Sequence, residues 1–200
     1  MAGERGTIVV LNDTAAIPHY GCKVVMKRVV DSLTSYGFSV KTVSVYSTWR
    51  VHKKLIDQSV AVVVNGEGTL HHSAKRGRTL VAVAPYCKAR DIPVFLINSV
   101  WQDNNEEMAA EAADFMLRYV RESRSKKQFV AQGLSATTVP DLTLGWDYQP
   151  SSPSRSGRIY TDAVGMPATD LLYRLHREDP GSRYVTMTPP KGHRGDYPDA

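Results

Sequence analysis

Residues 60–72 read VAVVVNGEGTLHH, a run of five apolar residues that ends abruptly in a polar turn containing two glycines. A short, continuous apolar run rich in β-branched residues is typical of a strand covered on both faces, as strands of a parallel sheet are. Asn65 and Gly66 are turn formers, so the strand is expected to end at this point. This stretch therefore predicts a buried parallel strand followed by a polar loop.

The same pattern recurs along the chain and alternates with helical periodicity. Further strands are predicted at residues 7–11, 39–45, 93–97, 115–120 and 137–139. Helices are predicted at residues 22–36, 78–90, 106–113 and 123–132, with Pro85 kinking or shortening the second and Ser123 as N-cap of the last. Apolar strands separated by helices predict a doubly wound, Rossmann-like α/β domain with a parallel sheet and helices on both faces.

The composition changes after residue 147. Residues 148–156, YQPSSPSRS, have the Ser/Pro-rich composition of a linker between a domain at 1–147 and a second unit at 157–200. The second unit contains one predicted β-α-β pattern, with strands at 158–160 and 184–187 around a helix at 168–176, followed by a polar tail. Because one such unit cannot bury both faces of its sheet, we expect an incomplete second α/β unit.

Composition and charge exclude several classes of protein. With 42% apolar and 22% charged residues among 200, the chain is expected to fold rather than remain disordered. The net charge of +5 comes from scattered basic residues, which is only a weak argument for nucleic acid, so ordinary solubility charge is the preferred explanation and no nucleic-acid partner is expected. Cys22 and Cys87 lie far apart and form no metal or disulfide motif, and no signal peptide or membrane span is evident. A cytoplasmic protein, with at most peripheral membrane contact, is expected.

Three polar loops follow predicted strands, where ligands of parallel sheets bind. Their candidate residues are Asn12, Asp13, His19 and Gly21; Asn65, Gly66, Glu67, Gly68, Thr69 and His71; and Asn98, Ser99 and Trp101. The glycines would let a phosphate or sugar approach the backbone, and Trp101 would suit stacking on a sugar. The structural alternatives are capped turns, a tight strand-to-helix turn and a core position for Trp101. No GK[ST] or complete GxGxxG motif is present.

A fourth polar cluster, Arg121–Ser125, has residues suited to bind a carboxylate or phosphate, although a helix N-cap at Ser123 with surface charges is the preferred explanation of the cluster taken alone. His19, Cys22, His71 and His72 suggest zinc, but they lack an H-E-x-x-H motif or a cysteine pair, so no metal site is predicted. A serine-histidine-aspartate triad cannot be argued without a G-x-S-x-G elbow.

Five ordered motifs resemble those of the polysaccharide pyruvyl transferase family. They are NDT…HYGC, VVVNGEGTLHH, VFLINSVWQ, YVRESRSKKQF and VPDLTL, and they span residues 7–144. The resemblance implies half of a GT-B-like, two-domain architecture with the ligand cleft between the halves. It also implies transfer of the pyruvyl group of phosphoenolpyruvate onto two hydroxyls of a sugar, as a ketal on a glycan or its precursor, in exopolysaccharide biosynthesis for the cell envelope.

The resemblance also implies roles for individual residues. The two loops at residues 12–21 and 66–69 would form the walls of the cleft, Arg121 and Ser123 would support them, and Asp141 would lie near the crossing to the second domain. Glu67 or Asp13 would be the general base, with His19 as an alternative proton carrier. Phosphoenolpyruvate would be the donor substrate, and no cofactor is expected.

One departure from that family leaves other functions open. Its basic residues for phosphoenolpyruvate lie largely in the second domain, in an Arg-x-His motif. Arg174-Leu175-His176 matches by chance, and Lys191, His193 and Arg194 are uncertain substitutes. The alternatives are a sugar-nucleotide glycosyltransferase, a non-catalytic glycan-binding remnant, or a site completed in a homo-oligomer.

Overall fold

The computed structural model describes residues 5–145, 156–162 and 166–186. The strands are β1 (Thr7–Asp13), β2 (Ser39–Ser44), β3 (Ala61–Asn65), β4 (Val94–Ser99), β5 (Leu117–Val120), β6 (Thr137–Thr138), β7 (Arg158–Thr161) and β8 (Ser182–Val185). The α-helices are α1 (Tyr20–Ser35), α2 (Lys53–Asp57), α3 (Lys75–Val81), α4 (Val83–Lys88), α5 (Glu106–Ala112), α6 (Ser123–Ala131) and α7 (Met166–Arg177). Two 3₁₀ turns cover Trp49–His52 and Leu142–Gly145.

Six strands form one parallel sheet in the order β2-β1-β3-β4-β5-β6. The chain moves from β1 outward to β2 and then returns to the other side of β1 for β3. The strand order therefore reverses between β1 and β3, and the loops after these two strands diverge at that point. A crevice for a ligand is expected there, outside the carboxyl ends of the strands. The predicted mixed α/β fold with a parallel sheet flanked by helices is confirmed.

The two faces of the sheet are covered unequally. The larger apolar core includes residues from α2, α3, α4, α5 and α6, represented by Ile56, Leu80, Cys87, Met108 and Phe129. The smaller core packs α1, through Val29, against β1 and β3, with Leu142 at its edge. The apolar residues of β1 and β3 are buried because the two cores cover these strands from opposite sides.

Two predicted helix features differ in the structure. The predicted helix at 78–90 is two helices, α3 and α4, and Pro85 lies in the first turn of α4, where its missing N–H costs least. The N-cap of α6 is Glu122, so the prediction of Ser123 as the cap is wrong. The Glu122 carboxylate accepts from the backbone N–H groups of Arg124 and Ser125, a bond pattern that a longer acidic side chain also provides.

The second unit is a parallel β7-α7-β8 arrangement. Its predicted strands and helix are present, with bounds shifted by one or two residues. Most of the predicted linker, at 148–155, and the polar tail from 187 onward lie outside the described residues, as do Lys191, His193 and Arg194. The division into domains therefore stays a prediction. No helix among the described residues is long and apolar enough to cross a membrane.

Candidate functional site

The ends of β1 and β3 are joined by two buried asparagines. Asn12 donates from Nδ2 to the backbone oxygen of Asn65 at 2.6 Å, and Asn65 donates back to the backbone oxygen of Asn12 at 3.3 Å. Asn12 has φ +64°, a left-handed conformation that asparagine tolerates better than most residues. Both side chains are almost fully buried, so these bonds compensate for the loss of water. They hold the two loops of the crevice together.

The Glu67 carboxylate lies beside this pair. Its Oε2 atom accepts from the Thr14 hydroxyl at 2.7 Å and from Asn65 Nδ2 at 3.4 Å. The Thr69 hydroxyl donates to the backbone oxygen of Glu67 and accepts from Asn12, which links the glycine turn to β1. A carboxylate has about four acceptor positions, so Glu67 retains capacity for a substrate hydroxyl. The crevice therefore contains an oriented acidic side chain at the switch point of the sheet.

Cys22, near the start of α1, also faces Glu67. Burial, the Glu67 charge and a hydrogen bond to that carboxylate together raise the pKa of its thiol from an ordinary 9.0 to about 12, with burial as the largest cause. The hydrogen bond with Thr14 acts in the opposite direction but is outweighed. The thiol therefore stays protonated at neutral pH and serves as a donor to Glu67 rather than as a nucleophile.

Cys22 is expected to react slowly with iodoacetamide at pH 8, because a pKa of about 12 leaves roughly a thousandfold less thiolate than a pKa of 9.0. Glu67→Gln removes the charge that raises this pKa, so the variant should be alkylated faster at Cys22. Peptide mass spectrometry separates Cys22 from the fully buried Cys87, which serves as the internal control. An unchanged rate at Cys22 in the variant would show that its thiol does not interact with Glu67.

The glycines of the turn have different structural reasons. A Cβ atom at Gly66 would lie 2.5 Å from Ser99 Oγ and 2.6 Å from Ser99 Cβ, and Ser99 is fully buried at the end of β4. Gly68 has φ +58° and open space around it, so its conformation rather than crowding favours glycine. Gly66 therefore permits the close packing of β3 against β4, and Gly68 permits the turn.

A cavity of about 460 Å³ opens on the other side of Asn12, between the ends of β1 and β2 and helix α3. Arg76 donates from Nη2 to Asn12 Oδ1 at 3.0 Å and to the backbone oxygen of Val45 at 2.7 Å. Lys75, Tyr46 and the 47–49 segment also line it. Partial burial lowers the pKa of Arg76 from its ordinary value, with Tyr46 opposing the effect. The cavity is therefore a basic pocket that shares Asn12 with the Glu67 crevice.

This basic pocket was not predicted from the sequence. Its basic residues belong to the run KRGR at 75–78, which follows the glycine turn and was assigned no role. A cluster of basic residues shortly after a strand-end turn is the signal that identifies them. The contact itself joins Arg76 to Asn12, which are 64 positions apart in the chain, and only the sheet order brings them together.

Other predicted residues of the first loop have local roles. Asp13 Oδ1 accepts from the backbone N–H of Ala15 at 2.9 Å, so this carboxylate stabilises its own turn. His19 is the N-cap of α1 without a side-chain cap bond, and its Nδ1 atom has no partner among the described residues. A Cβ atom at Gly21 would lie 3.0 Å from Cε1 of His19, so glycine leaves room for the His19 ring. These three residues lie at the entrance to α1, on the same edge of the sheet as Glu67.

Two predicted site residues at the end of β4, Asn98 and Trp101, have structural roles. Trp101 is fully buried, stacks on Phe129 with ring centroids 4.3 Å apart, and donates from Nε1 to Gln132 at 2.8 Å. It is therefore a core residue, and a role in stacking on a sugar is wrong. Asn98 has φ +48°, and its Oδ1 accepts from the backbone N–H of Leu142. This bond ties the end of β4 to the 3₁₀ turn after β6.

Arg121 and Asp141 form an ion pair at 2.9 Å across the ends of β5 and β6. Burial alone would raise the pKa of Asp141, but hydrogen bonds from the Thr143 backbone and hydroxyl and from Arg121 hold it below its ordinary value. Ser123, the first residue of α6, is exposed. Arg121 and Asp141 therefore stabilise each other, and the Arg121 guanidinium is already paired with the Asp141 carboxylate.

The fold and this site define an α/β protein with a polar ligand crevice at the switch point of a parallel sheet. The chain belongs to the glycerate kinase family, because the sequence profile of that family matches residues 37–138, just over half of the chain. The match includes Glu67, Arg76 and the loop after β4. No curated protein shows significant sequence similarity to the chain.

This family assignment overturns the resemblance to pyruvyl transferases. The expected pyruvyl transfer, the glycan-related alternatives and the role in exopolysaccharide and cell-envelope synthesis are wrong with it. The five motifs are short and mostly include the end of a strand, where glycine, asparagine and serine are common turn residues. Such motifs report the fold more strongly than the reaction.

Three solved structures of sugar-transporter proteins share a distant likeness with the chain. A solute-binding protein from Agrobacterium vitis with bound allitol has 13% identity and a TM-score of 0.41, covering 90% of this chain and 53% of its own. The binding protein of an arabinose transporter from Shewanella sp. ANA-3, with bound arabinofuranose, has 12% identity and a TM-score of 0.42. The match covers 90% of this chain and 54% of that protein. A sugar transporter subunit from Rhodobacter sphaeroides has 15% identity and a TM-score of 0.35, and the match covers 91% of this chain and 56% of that protein. The chain spans about half the length of these proteins.

Proposed function

We propose that this protein transfers a phosphoryl group from a nucleoside triphosphate to a hydroxyl of a small hydroxy acid of the glycerate type. The observation that carries the proposal is that the Glu67 crevice and the basic pocket meet at Asn12, which bonds to Thr69 on one side and Arg76 on the other. A hydroxy acid has a hydroxyl and a carboxylate, and the two halves of the site have the complementary chemistry. Membership of the glycerate kinase family supports the same reaction.

The substrate hydroxyl is assigned to Glu67. Thr14 and Asn65 both donate to Oε2 and orient the carboxylate. As the hydroxyl oxygen forms its bond to the γ-phosphorus, the bond from that phosphorus to the β-γ bridging oxygen breaks, and the proton of the hydroxyl passes to Glu67. The products are a phosphate ester and a nucleoside diphosphate.

The negative charges of the reaction are assigned to the basic pocket. Lys75 and Arg76 line its wall, and a cavity of about 460 Å³ is within the range of small-ligand sites. No P-loop sequence is present, so the side chains rather than a glycine-rich cradle would bind phosphate or carboxylate oxygens.

The described residues form no cluster of three metal-ligating side chains, and magnesium is assigned to the substrate as its nucleotide complex. A cleft closed by a second α/β unit stays a prediction.

The direct test is formation of ADP by the purified protein with MgATP and D-glycerate, together with detection of a new phosphate monoester by ³¹P NMR. Glycerate-dependent ADP formation with a matching amount of ester is the expected result. Folded protein that makes neither product, at glycerate concentrations up to tens of millimolar, would contradict the proposal. ATP hydrolysis that is independent of glycerate would contradict the assigned acceptor.

Lys75→Gln is expected to weaken binding of the anionic substrate about tenfold, because it removes one charged donor from the pocket wall while leaving the Asn12–Arg76 bond intact. Calorimetric titration with glycerate and with MgATP measures this and shows which anion Lys75 binds. Lys127→Gln on α6 is the matched control, since it removes the same charge from an exposed position away from the pocket. Equal affinities in the two variants would exclude Lys75 from the site.

A further inference from the structure

The loops after β3 and β4 are locked together beyond the Glu67 crevice. His72 donates its backbone N–H to Gln102 at 2.7 Å, and Gln102 donates back to Leu70 at 3.1 Å. The backbone N–H of Ser73 donates to the side chain of Asn104 at 2.9 Å. His72 and Ser73 have φ +52° and +47°, a left-handed conformation that few side chains adopt. The backbone around the two adjacent histidines is therefore held in one conformation.

This conformation brings the two imidazoles together. Nδ1 of His71 lies 3.1 Å from Nδ1 of His72, and the rings are nearly perpendicular, with an interplanar angle of 79°. In the neutral state, one Nδ1 atom must donate its proton to the lone pair of the other. Both rings are exposed at the edge of the sheet. Adjacent residues in an extended strand would point to opposite faces, so the strained turn is what creates the pair.

Asp103 acts on the outer nitrogen of the pair. Its Oδ2 atom lies 3.5 Å from Nε2 of His72, which favours a proton on Nε2 and leaves the Nδ1 lone pair of that ring free. Gln128 holds Asp103 in place, because its Oε1 accepts the Asp103 backbone N–H at 2.6 Å and its Nε2 donates to Asp103 Oδ1 at 3.3 Å. A carboxylate behind a histidine is the arrangement that orients metal-binding histidines.

We propose that His71 and His72 chelate one divalent transition-metal ion through their Nδ1 atoms, with Asp103 orienting His72. At a metal–nitrogen distance of about 2.05 Å, a separation of 3.1 Å corresponds to an N–metal–N angle of about 100°. This lies between the angles of square-planar and tetrahedral centres. A rotation of the rings turns both lone pairs towards a shared ion, and water fills the remaining positions. Two imidazoles select copper, nickel or zinc over magnesium or calcium.

The proposal is independent of the phosphoryl-transfer function. Its test is a titration of tag-free protein with Cu²⁺, followed by electron paramagnetic resonance of the one-equivalent complex. One ion per chain with splitting from two imidazole nitrogens is expected. His71→Gln and His72→Gln should each weaken binding at least tenfold and leave a spectrum without the two-nitrogen pattern. Asp103→Asn should weaken binding about tenfold while retaining both nitrogens.

His52→Gln serves as the matched control, because His52 contacts Ser47 in a different loop and should leave the titration unchanged. His71 and His72 lie outside the core, so their variants are expected to fold, and circular dichroism with thermal melting verifies this. Copper bound equally tightly by both histidine variants, or a wild-type spectrum with one nitrogen, would overturn the proposal.

Discussion

Glu67→Gln is expected to lower the rate of glycerate-dependent ADP formation by roughly 10²- to 10⁴-fold, the usual contribution of a general base. The amide has nearly the same shape, and its oxygen can accept the bonds from Thr14 and Asn65 that Oε2 receives. It cannot take the proton of the attacking hydroxyl. The loss should therefore appear in kcat, with a smaller change in KM, because the pocket that binds the negative charges is unaltered.

Steady-state kinetics of the purified variant measure this effect. Glu178→Gln, an exposed position just after α7, is the matched control and should retain the wild-type rate. Wild-type turnover by Glu67→Gln would remove Glu67 as the base. The rate of Cys22 alkylation in the same variant gives a second reading, since it reports whether the charge near Cys22 has changed even if turnover has not.

Trp101→Ala is expected to lower the free energy of unfolding by about 3–5 kcal/mol, the usual loss for deleting a large buried aromatic side chain. Trp101 is fully buried and stacks on Phe129, so the substitution leaves a cavity beneath α6. It also leaves the Gln132 Oε1 atom without the indole donor. Trp101→Phe keeps a ring in the cavity but not the hydrogen bond, and should cost less.

Denaturant unfolding followed by far-UV circular dichroism measures these losses without depending on tryptophan fluorescence. Tyr36→Ala is the control, because Tyr36 is 68% exposed at the end of α1 and should change the free energy of unfolding by about 0.5 kcal/mol or less. Equal stabilities of Trp101→Ala and Tyr36→Ala would contradict a core position for Trp101.

Most elements of the sheet follow from the sequence because their patterns are local. An apolar run predicts each of the strands β1, β3 and β4, and the spacing of Val25, Met26 and Val29 predicts helix α1. In each case the apolar residues of the element itself are the buried ones. The short helix α2 and the 3₁₀ turn before it were not predicted. Their five and four residues show little periodicity, and they form because Trp49 and Ile56 pack into the larger core.

The site was predictable only in part. Asn12, Asn65, Glu67 and Thr69 were candidates because they follow buried strands, and the structure brings them into one hydrogen-bonded group. Trp101 follows a strand in the same way but turns into the core. Trp101 and the polar candidates occupy equivalent positions after their strands. The difference is that Trp101 packs against Phe129 in the apolar core. The resemblance to pyruvyl transferases was wrong for a related reason, because residues at strand ends are selected for the backbone turn as well as for a reaction.

The sequence by itself determined the parallel α/β fold, the positions of its polar loops and the polar, glycine-containing turn after β3, because apolar periodicity and turn chemistry act over a few neighbouring residues. The tertiary structure alone decided that β1 and β3 are adjacent, that Arg76 reaches Asn12, that Gly66 faces Ser99, and that Asp103 lies behind His72. These contacts join residues 31 to 64 positions apart, and they depend on the order in which the strands pack, which no local pattern encodes.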